Sequence, residues 1–145
     1  MSNVSYLKKV YLEVKNELEA LPKVLQWFEK NVHSFFPEKF CWEAQVALAE
    51  GFTNAVRHAH RHLSKNLIIP LELTIFSDHL EIKIWDFGQP FDFKQKLNLL
   101  REKNRDSWER EGGRGLDFME KLTSEVQYIR VNDQQNCLIM RKFLD

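Results

Sequence analysis

The sequence predicts an α+β fold, a two-layer α/β sandwich in which helices cover one mostly antiparallel mixed sheet. Three observations lead there. The chain has 145 residues with 43% hydrophobic content, the size of one compact domain with a core of its own, so residues 1–145 are expected to form a single domain. Short runs with strand character occur as hairpins late in the chain, and a long amphipathic helix precedes them. Strands and helices segregated in this way are most economically packed as two layers.

Each element follows from local pattern. Leu7 to Val14 is rich in β-branched and aromatic residues, and its lysines suit an edge strand. From Glu19 to Val32, Leu21, Leu25, Phe28 and Val32 recur at helical spacing, with Pro22 acceptable in the first turn. Pro37 then biases Phe36 away from helix, and a long helix is predicted from about Glu38 to Leu63. At about 100° per residue, Cys41, Ala44, Leu48, Phe52, Ala55, Ala59 and Leu63 share one sector, and Glu50, Asn54, Arg57 and Arg61 lie opposite.

The runs IIPLELTIFS and LEIKIWDFG read as a hairpin turning at Asp78 and His79. In the second, Leu80, Ile82 and Ile84 alternate with Glu81 and Lys83, so one face is buried and the other wet. Residues 89–111 are heavily charged, with Phe91, Phe93 and Trp108 as apolar anchors, and read as a binding loop or lid with room for a short helix in it. A charged stretch of this kind is too polar to pack by itself and is expected to order on a ligand. A short helix follows in GLDFMEKLTSE, and EVQYIRV with NCLIMRKFL closes the fold as a hairpin around residues 132–135.

Composition removes several function classes. Lys+Arg and Asp+Glu both number 21, so no basic field favours nucleic acid, and direct nucleic-acid binding is not expected. Cys41 and Cys137 have no C-x-x-C spacing and fit reduced, buried thiols. No apolar run reaches signal-peptide or membrane-span length, so a cytoplasmic protein without membrane insertion is expected.

The chemistry concentrates in three places. Glu50 and Asn54 stand one helical turn apart, near enough for a carboxylate and an amide oxygen to share a hard cation carrying phosphates. Asp86, at a strand end two residues before Gly88, can accept a hydrogen bond from a ligand amine. Four of the five glycines are Gly88, Gly112, Gly113 and Gly115, and their clusters flank the charged stretch. EGGRGLDF sets glycines ahead of a helix start, where free amides favour phosphate and Arg114 adds a charge-assisted contact. His58 and His62 are four apart and could share a metal, but no second Cys or His cluster offers further ligands. The histidines at 58, 60 and 62 read more simply as cap and surface residues near the helix end.

Taken in order, E-x-x-x-N, D-x-G-x-P-F-D and G-G-x-G-L are similar to the N box and two glycine boxes of the GHKL ATP-binding superfamily. AEGFTNAVRHAH, DFGQPFDF and EGGRGLDFMEKL resemble, more narrowly, the anti-sigma-factor serine kinases. The resemblance implies a Bergerat-type ATPase fold, with a four-to-five-stranded sheet and ATP-Mg2+ bound between the long helix and the lid. It implies Glu50 as the catalytic carboxylate that activates a water or a serine hydroxyl, Asn54 as the Mg2+ ligand and Asp86 as the reader of adenine. It also implies Gly88 beside the base, and Gly112, Gly113, Arg114, Gly115 and Leu116 on the phosphate side. The function implied is phosphorylation of a serine on an anti-anti-sigma (STAS-type) partner, within a partner-switching system that includes a sigma factor or other regulator. A homodimer is implied too, compatible with Tyr6, Tyr11, Leu25 and Trp27. The alternative is an ATP-gated binding module that sequesters a regulator without kinase activity. A histidine-kinase catalytic domain cut from its parent fits less well, because no phosphoacceptor helix precedes the ATP boxes. One departure from the family is the last hairpin, DQQNCLIM, which lacks the usual glycine and small hydroxyl residue supporting the aspartate and offers Cys137 as the nearest small side chain.

Overall fold

The computed structural model describes residues 5–103, 106 and 112–145. Five strands form one sheet in the order β1-β2-β3-β5-β4, and all four pairings are antiparallel. The strands are β1 (Lys8–Lys15), β2 (Ile68–Ile75), β3 (His79–Asp86), β4 (Glu125–Arg130) and β5 (Asn136–Phe143). The helices are α1 (Leu21–Val32), α2 (Glu38–Asn54), α3 (Phe93–Arg101) and α4 (Gly113–Leu122). Every strand expected from periodicity is present, and Pro22 lies in the first turn of α1.

Strand alternation decides which side the helices cover. Leu71, Leu73 and Ile75 of β2, Leu80, Ile82 and Ile84 of β3, and Leu138 and Met140 of β5 point inward and are buried. They meet Val24, Phe28 and Val32 of α1 and Ala44, Leu48 and Phe52 of α2 in one apolar core. At about 25 cal/mol per Å2, burying each such large side chain contributes roughly 1.5–3 kcal/mol before ordering costs. The outer face is wetter, with Arg141 Nε donating to Glu81 Oε2 at 2.8 Å. α2 runs especially close to the sheet at Gly51. A Cβ there would stand 2.9 Å from Ile84 Cδ1 and 3.1 Å from Leu138 Cδ2. That close approach sets Glu50 and Asn54, on either side of Gly51, at the edge of the core.

Two helices differ in their bounds from the sequence expectation, and the charged stretch takes a definite form. The long helix ends at Asn54, followed by a single π-helical turn, Ala55–Ala59. The apolar sector is buried from Cys41 through Ala55, whereas Leu63 is exposed. The charged stretch contains α3, whose Phe93, Leu97 and Leu100 are buried. Asp92 caps it by accepting from Gln95 N at 2.9 Å, and Arg101 Nη2 reaches Asp117 Oδ1 of α4 at 2.6 Å. This half of the expected lid is thus a packed amphipathic helix, because its three apolar residues are spaced to one face. Trp108 and the rest of the lid through residue 111 lie outside the described residues, apart from residues 102, 103 and 106. Finally, α4 starts at Gly113, so Gly113 and Gly115 sit inside its first turn and only Gly112 precedes it. Among the described residues no helix is long and apolar enough to cross a membrane.

Candidate nucleotide site

α4 begins directly on top of the polar pair of α2. Gly112 has φ +88°, the left-handed region that a side chain disfavours. A Cβ on it would lie 3.0 Å from Asn54 Oδ1 and from His58 Cδ2. A Cβ on Gly115 would meet Glu50 Oε2 at 2.8 Å and Asn54 Nδ2 at 3.0 Å. The glycines therefore let a helix N-terminus, with its unpaired amides, settle against a carboxylate and an amide. The Leu116 amide is already used, donating to the Gly112 carbonyl at 3.0 Å, while its side chain is buried and lines the cleft. Arg114 is exposed and brings its guanidinium to 3.9 Å from Glu50 Oε1.

The other end of the same cleft is built around Asp86, which is 4% exposed. Its Oδ1 accepts from Gly88 N at 2.9 Å and from Asn136 Nδ2 at 2.9 Å. The Tyr128 hydroxyl donates across both carboxylate oxygens, at 2.9 Å to Oδ1 and 2.7 Å to Oδ2. Burial, reinforced by the adjacent Asp86 charge, pushes the Tyr128 phenol well above its ordinary value, so it stays protonated and donating. Phe91 stacks on the Tyr128 ring at 4.4 Å between centroids, and the Lys96 ammonium stands 4.4 Å from the Phe91 centroid. The cleft is lined by Asn54 and His58 together with Asp86 and Tyr128.

Asn136 sits directly opposite Asp86 in the β3–β5 register. Cys137, the nearest small side chain in this hairpin, is therefore on the outer face of the sheet, paired with Trp85 and turned away from the aspartate. Its thiol is buried, and burial pushes it up to about 12. Asn136 Nδ2 also donates to the Gly88 carbonyl at 2.9 Å, fixing the turn after β3. At Gly88 the close neighbour is protein backbone: a Cβ would fall 2.7 Å from the Ala59 carbonyl oxygen.

His60 corrects the reading of the histidines as cap and surface residues, since it is 1% exposed. Its Nε2 accepts from Phe87 N at 2.9 Å, which makes Nδ1 the protonated nitrogen, donating to Asn16 Oδ1 at 3.1 Å. Burial lowers its pKa, partly offset by the Asp86 charge. The neutral ring thereby ties the end of the π turn to the segment carrying Gly88. His62 is exposed, and His58 lines the cleft.

Glu50 and Asn54 are thus brought against the start of α4; of the residues expected at the site, Asn54, Leu116 and Asp86 line the cleft, with Gly88 bonded to Asp86 behind it. Sequence reasoning missed Tyr128, Asn136 and His60. Alternation in EVQYIR places Val126, Tyr128 and Arg130 on one face, but only the strand order β3-β5-β4 puts that face beside Asp86.

A helix-covered antiparallel sheet with a largely apolar cleft, edged by a buried acid and by an asparagine set against a glycine-started helix, defines an ATP-binding fold of the histidine-kinase type. The family model described as the histidine kinase-like ATPase domain matches residues 14–142, and the chain belongs to that family. It is similar to the serine-protein kinase RsbW of Staphylococcus epidermidis, with 37% identity over 87 residues, 58% of this chain and 55% of the relative. RsbW of Staphylococcus aureus is 36% identical over the same shares. The chain spans about half the length of the curated relatives it matches. Among solved structures, the SiaB-SiaC complex from Pseudomonas aeruginosa aligns with a TM-score of 0.63 at 10% identity, covering 93% of this chain and 89% of that chain, which supports the fold.

Proposed function

We propose that the protein is an ATP-dependent anti-sigma regulatory factor that acts as a protein-serine kinase on a small anti-anti-sigma (STAS-type) partner. The observation that carries this reading is the placement of Glu50 beside Asn54, directly beneath the first turn of α4. In it, the first-turn amides of Gly113, Arg114 and Gly115 and the Arg114 guanidinium receive the phosphates. Asp86 accepts a hydrogen bond from the adenine amine.

The donor set suits Mg2+. The Asn54 amide oxygen and the Glu50 carboxylate both lie within reach of Gly115, and this hard ion takes few protein oxygens when a nucleotide supplies the rest. Asn54 would hold it, and when bound it would neutralise charge on the phosphates. Glu50 orients the partner serine and takes its hydroxyl proton. The serine oxygen bonds to the γ-phosphorus as the bond to the β,γ-bridging oxygen breaks, releasing ADP.

One observation favours the second reading, a nucleotide-gated binding module without kinase activity: the Arg114 guanidinium already faces Glu50, which would compete with its role as a base. Incubating the chain with ATP-Mg2+ and a candidate partner, followed by mass spectrometry, separates the two. The kinase reading expects phosphoserine on the partner, abolished by Asn54→Ala. Partner binding that depends on ATP but leaves no phosphoserine supports the gated module.

The proposal extends to a sigma factor or other regulator as the second partner and to a homodimer. Tyr6 and Tyr11 support the latter, since they are 52% and 66% exposed and do not fill the monomer core.

A further inference from the structure

We propose that Tyr128 is a specificity-determining residue that reads the exocyclic amine of the base jointly with Asp86. The inference rests on reading the cleft as an adenine-nucleotide site.

The hydrogen-bond inventory around the carboxylate carries the argument. Asp86 Oδ1 receives Gly88 N, Asn136 Nδ2 and a share of the Tyr128 hydroxyl proton. Oδ2 receives only the Tyr128 hydroxyl, at 2.7 Å, among the described residues. Oδ2 thus keeps lone-pair capacity for one more donor. The Tyr128 proton is committed to the carboxylate, so the phenol oxygen has only lone pairs left to offer. Two acceptor oxygens stand side by side with no proton between them to spare for a ligand. Tyr128 lines the same cleft as Asp86, and the Phe91 ring against it restricts its movement.

An amino group carries two protons and can donate to both oxygens. A keto oxygen at the same place brings a third acceptor and leaves both groups unmatched, the situation that produces strong discrimination in buried polar sites. The ligand class selected is a 6-aminopurine nucleotide over a 6-oxopurine nucleotide. Tyr128 acts directly, as a second acceptor, and indirectly, by holding the carboxylate in one orientation. Its place on β4, two strands from Asp86 in the sheet order, makes the reader a product of the closing hairpin.

The test is equilibrium titration of the full chain with ATP and with inosine triphosphate, each with Mg2+, in the native protein, Tyr128→Phe and Asp86→Asn. The phenylalanine keeps the ring and its stack and removes the hydroxyl. We expect it to weaken ATP binding by about tenfold, the value of one hydrogen bond to a charged group, with a much smaller effect on inosine triphosphate. The ATP preference should narrow accordingly, which a purely structural role would not produce. On the native chain, N6-methyl-ATP, which has one amine proton, should bind more weakly than ATP, and that readout does not depend on any variant folding. An unchanged preference in Tyr128→Phe, or tighter ATP binding because the hydroxyl had competed with the base, would overturn the inference. Equal affinity of the native chain for ATP and N6-methyl-ATP would do the same. If ATP binds and Asp86→Asn alone loses the preference, only the role of Tyr128 falls. If neither nucleotide binds the native chain, the nucleotide-site reading falls with it.

Discussion

Glu50 carries the catalytic part of the proposal, and Glu50→Gln separates binding from chemistry. The amide keeps the shape and a hydrogen-bonding oxygen but cannot take a proton. ATP affinity should stay near that of the native chain, while phosphoryl transfer to the partner serine falls by about 100- to 10,000-fold, the usual worth of a positioned general base. Transfer at the native rate, measured by phosphoserine formation over time, would remove Glu50 from that role. His60 makes a second prediction at this scale. Its pKa is lowered in the folded chain, so the unfolded chain takes up a proton first as pH falls. The stability from the neutral ring is complete above the unfolded histidine value of about 6.5 and is lost progressively as pH drops below it towards the folded value. Denaturant midpoints should therefore fall between about pH 7.5 and 5.5, and less steeply in His60→Gln, which has nothing to titrate there. Parallel slopes for the two chains would mean that His60 does not contribute. The placement of Asn54 one turn from Glu50 and of Asp86 at a strand end was legible from spacing. His60 was not, because a histidine near the end of a polar helix reads as exposed until the widened turn draws it in against Phe87.

At the scale of elements, the meeting of α2 and α4 makes opposite demands on two glycines. Gly112 needs its positive φ, so Gly112→Ala should destabilise the fold by about 1–2 kcal/mol through backbone strain alone. Gly115 lies within the first turn of α4, where alanine is the better helix former by about 1 kcal/mol. Its added methyl would press on Glu50 and Asn54. Gly115→Ala should thus leave the unfolding midpoint nearly unchanged and weaken ATP-Mg2+ binding, a pairing of thermal melts and titrations that two structural glycines would not produce. Local pattern found these glycines but placed the helix start two or three residues too late, since G-G-x-G reads as loop until its amides are seen turning into the helix. The charged stretch left room for a short helix without showing where it lies. Its polarity concealed Phe93, Leu97 and Leu100 at helical spacing, and these bury α3 against the body of the protein.

For the whole molecule, the sheet and its helical cover could be read from alternation and from the three ordered boxes, because a half-buried strand and an amphipathic helix each write their period into the sequence. Strand order could not be read in that way. It depends on which hairpins pack together, and it alone brings Tyr128 and Asn136 to Asp86. Association is a further property at this scale. With Tyr6 and Tyr11 exposed along the first strand and its approach, light scattering at micromolar concentration should return about twice the chain mass of 17.3 kDa. A value equal to the chain mass would set the homodimer aside. The central claim, that the cleft between α2 and α4 is an ATP-Mg2+ site with Asn54 at one end and Asp86 at the other, is tested most directly by isothermal titration of the native chain with ATP-Mg2+. It predicts saturable binding at one site per chain that Asn54→Ala and Asp86→Asn each weaken by about tenfold or more without unfolding the protein. Binding unaffected by both substitutions, or no binding to the folded native chain, would contradict it.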